Sequence, residues 1–145
     1  MSDEKQDGPF EKYHENGQLS SKGTYSNGKL DGPREVYYEN GQLLTKGSFS
    51  NGIPDGPFEL YFGNGQLRTK GSNSKGEKCG EWEWYYDNGQ LWTKGTLSNG
   101  EYDGPYESYY EHGLLRERGS YSKDEKCGEW YEDGKTVTYP PCRNG

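Results

Sequence analysis

The chain has little of what usually holds a domain of its length together. Hydrophobic residues make up 27% of its 145 residues and the net charge is −7, a balance found in chains that stay disordered. No run is apolar enough to span a membrane. Residues 1–7 are polar and charged and carry no export signal, so a cytoplasmic location is expected. There are two histidines, His14 and His112, and three cysteines, a thin stock for metal or nucleophilic chemistry. The acidic balance argues against nucleic acid and against an anionic membrane surface, since both require basic patches. It suits a basic protein partner better.

What is present is a repeat. A unit of 24 residues, clearest from Gly32 to Asp55, starts at Gly8, Gly32, Gly56, Gly80 and Gly104, with a shortened copy at Gly128. Glycine or proline every few residues excludes a helical repeat. Each unit carries two turn signals. The first is Asn16-Gly17, Asn40-Gly41, Asn64-Gly65 and Asn88-Gly89, altered to His112-Gly113. The second is Asn27-Gly28, Asn51-Gly52, Lys75-Gly76 and Asn99-Gly100, with Asp124-Glu125 in the last full unit. Asn-Gly between alternating residues signals a two-residue type I′ hairpin loop. The expected fold is all-β: an elongated single-layer antiparallel meander of tandem hairpins over residues 8–139, with a polar lead (1–7) and a tail (140–145). Pro140 and Pro141 stop the closing strand.

A two-residue loop at Asn40-Gly41 pairs Tyr38 with Leu43, Tyr37 with Leu44, Val36 with Thr45 and Glu35 with Lys46. The charge pair recurs as Glu11–Lys22, Glu59–Lys70, Glu83–Lys94 and Glu107–Arg118, and opposite charges across a ladder support a register. Alternation then gives two faces. One is aromatic and aliphatic, with Phe58, Leu60, Phe62, Trp82, Trp84 and Tyr86 at its centre. The other is charged and carries a tyrosine row of Tyr13, Tyr37, Tyr61, Tyr85 and Tyr109. The second connection is either a two-residue turn or a longer loop; the faces are the same for both. Gly23, Gly47, Gly71, Gly95 and Gly119 fall on the aromatic face, where each either lies under a neighbouring ring or eases a twist.

Unit one is weakened by Lys12 and His14, which fits a solvated capping repeat. The most variable position runs Ser20, Leu44, Arg68, Trp92, Arg116 and falls on the charged face. An exposed Trp or Arg is a frequent hot-spot type, so Trp92 and Arg68 join Tyr61, Tyr85 and the six aromatic-face residues as partner-binding candidates.

Cys79 and Cys127 hold the same repeat position two units apart, too far for a disulfide. Cys127 and Cys142 could approach across the final hairpin, but the odd count and the missing export signal make reduced thiols the default. No Cys or His stands at zinc-ligand spacing, no nucleophile stands beside a base, and the Gly-Lys pairs belong to turns. No cofactor, no metal and no enzyme activity are expected.

The stretch KGTYSNGKLDGPREVYYENGQL, from Lys22 to Leu43, resembles the MORN repeat (membrane occupation and recognition nexus), and more closely its bacterial variant. The resemblance runs from Gly8 to about Tyr139. It implies a single-layer hairpin ribbon that binds rather than catalyses. The variant family includes the YwqK-like antitoxin components of toxin–antitoxin modules, so the resemblance implies an antitoxin or immunity-type protein that neutralises a toxin by direct binding. The alternatives are a homo-oligomeric scaffold, with two ribbons burying their aromatic faces as a homodimer, and a phosphoinositide or membrane-surface module, which the charge disfavours.

Overall fold

The computed structural model describes residues 6–143. Residues 1–5 of the expected polar lead and the last two residues of the expected tail lie outside them. The described chain is one open antiparallel sheet. Its strands are β1 (Gly8–Tyr13), β2 (Leu19–Ser26), β3 (Lys29–Leu30), β4 (Gly32–Tyr37), β5 (Leu43–Ser50), β6 (Ile53–Pro54), β7 (Gly56–Tyr61), β8 (Leu67–Ser74), β9 (Glu77–Tyr85), β10 (Leu91–Ser98), β11 (Glu101–Tyr109), β12 (Leu115–Ser122), β13 (Glu125–Glu132) and β14 (Lys135–Thr138). Neighbours in sequence are neighbours in the sheet, except that β3 and β6 pair only with β2 and β5 while β4 and β7 continue the ribbon.

The second turn signal takes the shorter of its two alternatives, and the first departs from the two-residue loop expected of it. The second carries the two-residue loop: Asn27 and Gly28 have φ of 54° and 83°, and Asn51 and Gly52 have 55° and 83°, as a type I′ turn needs. Lys123 and Asp124, rather than Asp124 and Glu125, make the last of these in the full units, at 48° and 69°. After the turn, Tyr25 faces Leu30, so an unbroken ladder would set Lys22 against Pro33. Lys22 faces Glu35 instead. This two-residue slip keeps each side chain on its face, as the period of two requires.

At the first signal only the glycine has positive φ, 90° at Gly41. Tyr38 N–H donates to the Gln42 carbonyl (2.8 Å) and Gly41 N–H to the Tyr38 carbonyl (3.0 Å). This is a three-residue loop with glycine at its left-handed position. The asparagine serves through its side chain: Asn40 Oδ1 accepts from Gln42 N–H at 2.9 Å, and Asn16, Asn64 and Asn88 repeat the bond. Nδ2 of Asn64 and Asn88 reaches across to a carbonyl of the next loop, Asp87 or Glu111, at 3.0 Å each.

The longer loop sets Tyr37 opposite Leu43, not Leu44, while Val36 still faces Thr45 and Glu35 still faces Lys46. One residue, Leu44, is left out of the ladder. The same one-residue bulge leaves out Ser20, Arg68, Trp92 and Arg116. The expected charge pairing holds throughout, because the bulge restores the register before it is reached.

The core is a file of rings along one face. Trp82 and Trp130 are each 1% exposed. Their indoles lie on the bare backbone of Gly71 and Gly119, where an added Cβ would overlap the ring. Each donates its N–H to a carbonyl, of Ser72 or Ser120, at 2.9 Å. The ring-over-glycine alternative therefore holds here. Cys127 and Cys142 form a disulfide with Cα atoms 4.8 Å apart, and Cys79 is free. The default of reduced thiols is corrected at this pair: the last turn at Asp133-Gly134 folds β14 back on β13 and brings the tail to Cys127.

Candidate functional site

The bulge decides where the variable side chains go. A bulged residue is free of the ladder's alternation and is re-aimed by the local bend. The Arg68 guanidinium lies 5.4 Å from the Phe62 ring centroid and that of Arg116 lies 5.8 Å from Tyr110. Trp92 packs on Tyr86 with centroids 5.7 Å apart. Phe62, Tyr86 and Tyr110 belong to the aromatic side, so the expectation that Arg68 and Trp92 stand on the charged face is corrected. The missed signal is the three-residue loop, which the Asn-Gly motif alone does not separate from a two-residue one.

These side chains surround a groove of about 470 Å³ lined by Leu60, Phe62, Arg68, Thr69, Trp84, Tyr85, Tyr86, Asp87, Trp92 and Glu111. Seven of the ten candidates meet there. Trp92 stands at its edge, 44% exposed. Tyr86 is fixed by donating its hydroxyl to the Tyr109 carbonyl at 2.7 Å, as Tyr38 does to Tyr61. His14 takes the equivalent place in unit one, with Nε2 3.0 Å from the Tyr37 carbonyl, which suits its expected place in a capping repeat. Phe62 has no hydroxyl to give and presents its face to Arg68.

The remaining three candidates lie elsewhere. Trp82 is closed to a partner by its burial. Phe58 packs beside it at 5.8 Å. Tyr61 belongs to the charged face, where its hydroxyl donates to Glu59 at 2.8 Å. The whole tyrosine row does the same with the glutamate two residues earlier, at Tyr13, Tyr37, Tyr85 and Tyr109. The hydrogen bond to Glu35 pushes the Tyr37 phenol up to about 12; burial, then Glu83, takes Tyr85 there too. The carboxylates thus serve tyrosines first. Of the directly opposed charge pairs, only the inter-repeat Lys22–Glu35 contact, at 3.5 Å, closes to an ion pair among the described residues.

A second charged cluster braces the C-terminal end. Lys126 Nζ contacts Glu132 at 2.7 Å and Glu117 at 3.2 Å and lies 4.5 Å from the Trp130 centroid. Burial opposes its charge, yet the hydrogen bonds to Glu132 and Glu117 hold its pKa above the usual lysine value. Among the described residues no group of three or more His, Cys, Asp or Glu is placed to hold a metal ion.

Three segments match the MORN repeat variant: residues 6–27, 30–51 and 78–99. Their starts are one and then two repeats apart, in phase with the unit read from the sequence. A search of curated proteins finds no significant match. MORN repeats are generally repeats for protein or membrane interaction. The third matching segment carries Trp84, Tyr85, Tyr86, Asp87 and Trp92, half of the residues that line the groove.

Proposed function

We propose that the chain is an antitoxin or immunity-type protein that neutralises a toxin by direct protein–protein binding through its repeat sheet, without catalysis of its own. The observation that carries this reading is the groove. It gathers Leu60, Phe62, Trp84, Tyr86 and Trp92 on one hairpin pair, and large aromatics around a partly desolvated pocket are the usual anchors of a protein interface. The acidic chain suits a basic toxin domain. The resemblance to the antitoxin group supplies the biological role. A cytoplasmic site of action goes with this reading; the Cys127–Cys142 bond pulls against it, since disulfides persist in oxidising compartments.

The test is co-purification with a tagged chain from its host, followed by co-expression of what is captured. One stoichiometric protein whose toxicity the chain suppresses is the expected result. Trp84→Ala should then weaken that complex by about 2 kcal/mol, the hot-spot threshold, with the circular dichroism spectrum unchanged. Recovery of the chain alone as a dimer would replace this reading with the scaffold.

A further inference from the structure

The row of bulged residues uses one device twice, on either side of the fourth repeat. In the third and fifth repeats the bulged side chain is an arginine laid over the ring of its own hairpin, Arg68 on Phe62 and Arg116 on Tyr110. In the fourth repeat the bulged residue is Trp92, which packs on Tyr86. Where its neighbours hold a guanidinium against a ring, this repeat has a second ring and no cation of its own. At the loop end of the same groove stand Asp87 and Glu111. Neither has an ion-pair partner among the described residues. Two acidic residues and one arginine line the groove, and the guanidinium of Arg68 is spread over Phe62.

We propose that this groove takes an arginine side chain of a protein partner, stacked on the Trp92–Tyr86 platform with its charge met by Asp87 and Glu111. The inference rests on the protein-binding reading above and names the chemistry of the partner. Arginine fits better than lysine because its planar, weakly hydrated cation stacks on aromatic faces while its N–H fork meets carboxylates. The electrostatic complement is local: a π-platform and two unpaired carboxylates in one groove. The partner's guanidinium would occupy in trans the slot that Arg68 and Arg116 occupy in cis.

The test uses the intact chain and a short glycine–arginine peptide, with the citrulline-for-arginine peptide as its uncharged isostere. Binding is followed through the indole N–H signals of the tryptophans. Saturable movement of the Trp92 and Trp84 signals is expected with the arginine peptide, weakened by roughly tenfold or more with citrulline. Trp92→Arg, which supplies the cation in cis as the neighbouring repeats do, should abolish it while leaving the Trp82 and Trp130 signals in place. Asp87→Asn combined with Glu111→Gln should weaken it and flatten its salt dependence. Equal binding of citrulline, undiminished binding to Trp92→Arg, movement confined to the buried tryptophans, or no saturation at millimolar peptide would each overturn the inference. If it falls while a cognate toxin still binds and Trp84→Ala releases that toxin, the protein-binding reading stands without it.

Discussion

The first two repeats and the last three share a backbone template and are held by different means. At the ring-over-glycine position the successive repeats carry Phe10, Arg34, Phe58, Trp82, Tyr106 and Trp130. In the N-terminal part the ring contacts reduce to Phe10 with Tyr25, at 4.8 Å. There each hairpin is clipped by an aspartate side chain on a backbone N–H, Asp7 Oδ1 accepting from Asn27 at 3.3 Å and Asp31 Oδ1 from Asn51 at 3.2 Å, a clip that recurs at Asp103 and Lys123 in the tight end. From Phe58 onward rings touch without a break, through Trp82, Trp84, Tyr102, Tyr106 and Tyr121 to Trp130 and Tyr139. The Lys126 cluster and the disulfide are added at that end. The strands follow suit. β3 and β6 are two-residue pieces set off from β4 and β7, whereas β9 and β11 run unbroken through the equivalent breaker. A repeat array is stabilised by each unit and its neighbours, so side chains at one position grade the ribbon from a loose N-terminal end to a tight C-terminal one.

The largest effect should come from taking a ring out of the tight end. Trp82→Ala should cost about 3–5 kcal/mol, as for a fully buried tryptophan, and Phe10→Ala distinctly less, because β1 has a neighbour on one side only. Urea titration of both variants checks this. Equal costs would erase the gradient. Next is the tail. Cys142→Ser opens a closed loop with a sequence separation of 15, worth about 3 kcal/mol on the chain-entropy model. Hydrogen exchange should show protection lost in β13 and β14 and kept in β4 and β5.

A third contrast uses glycines at equivalent positions. A Cβ at Gly47 would meet Phe58 at an ordinary 3.6 Å, whereas one at Gly71 would enter the Trp82 ring. Gly71→Ala should therefore cost about 1–3 kcal/mol by overpacking, with Gly47→Ala close to neutral. The smallest effect runs the other way. Ser108 is 2% exposed and its Oγ has no partner among the described residues, while the equivalent second-unit residue is Val36. Ser108→Val should gain about 1 kcal/mol by removing an unsatisfied hydroxyl, read as a raised urea midpoint.

Much of this was legible in the chain. The 24-residue spacing gave the hairpins, their order and the Glu–Lys register, because a fixed period and alternation leave few other arrangements. The ring-over-glycine contacts were visible as one of two readings of Gly71 and Gly119. The identity of each loop was not legible. Asn-Gly fits both a two-residue and a three-residue hairpin, and the choice depends on whether Asn40 spends its side chain on Gln42 N–H or its backbone on positive φ. That single ambiguity moved Arg68 and Trp92 to the wrong face. Trp82 was legible as aromatic-face but not as buried, since its burial depends on Gly71, Phe58 and Trp84 closing around it.

β-bulges turn the variable row onto the aromatic side and so build the groove. Proton–proton contacts of the Trp92 indole in solution decide whether they do. Cross-peaks from Trp92 to the Tyr86 ring, with none to the side chains of Glu83 or Lys94, are the predicted result. Cross-peaks to Glu83 and Lys94 without Tyr86 would return Trp92 to the charged face and contradict the account.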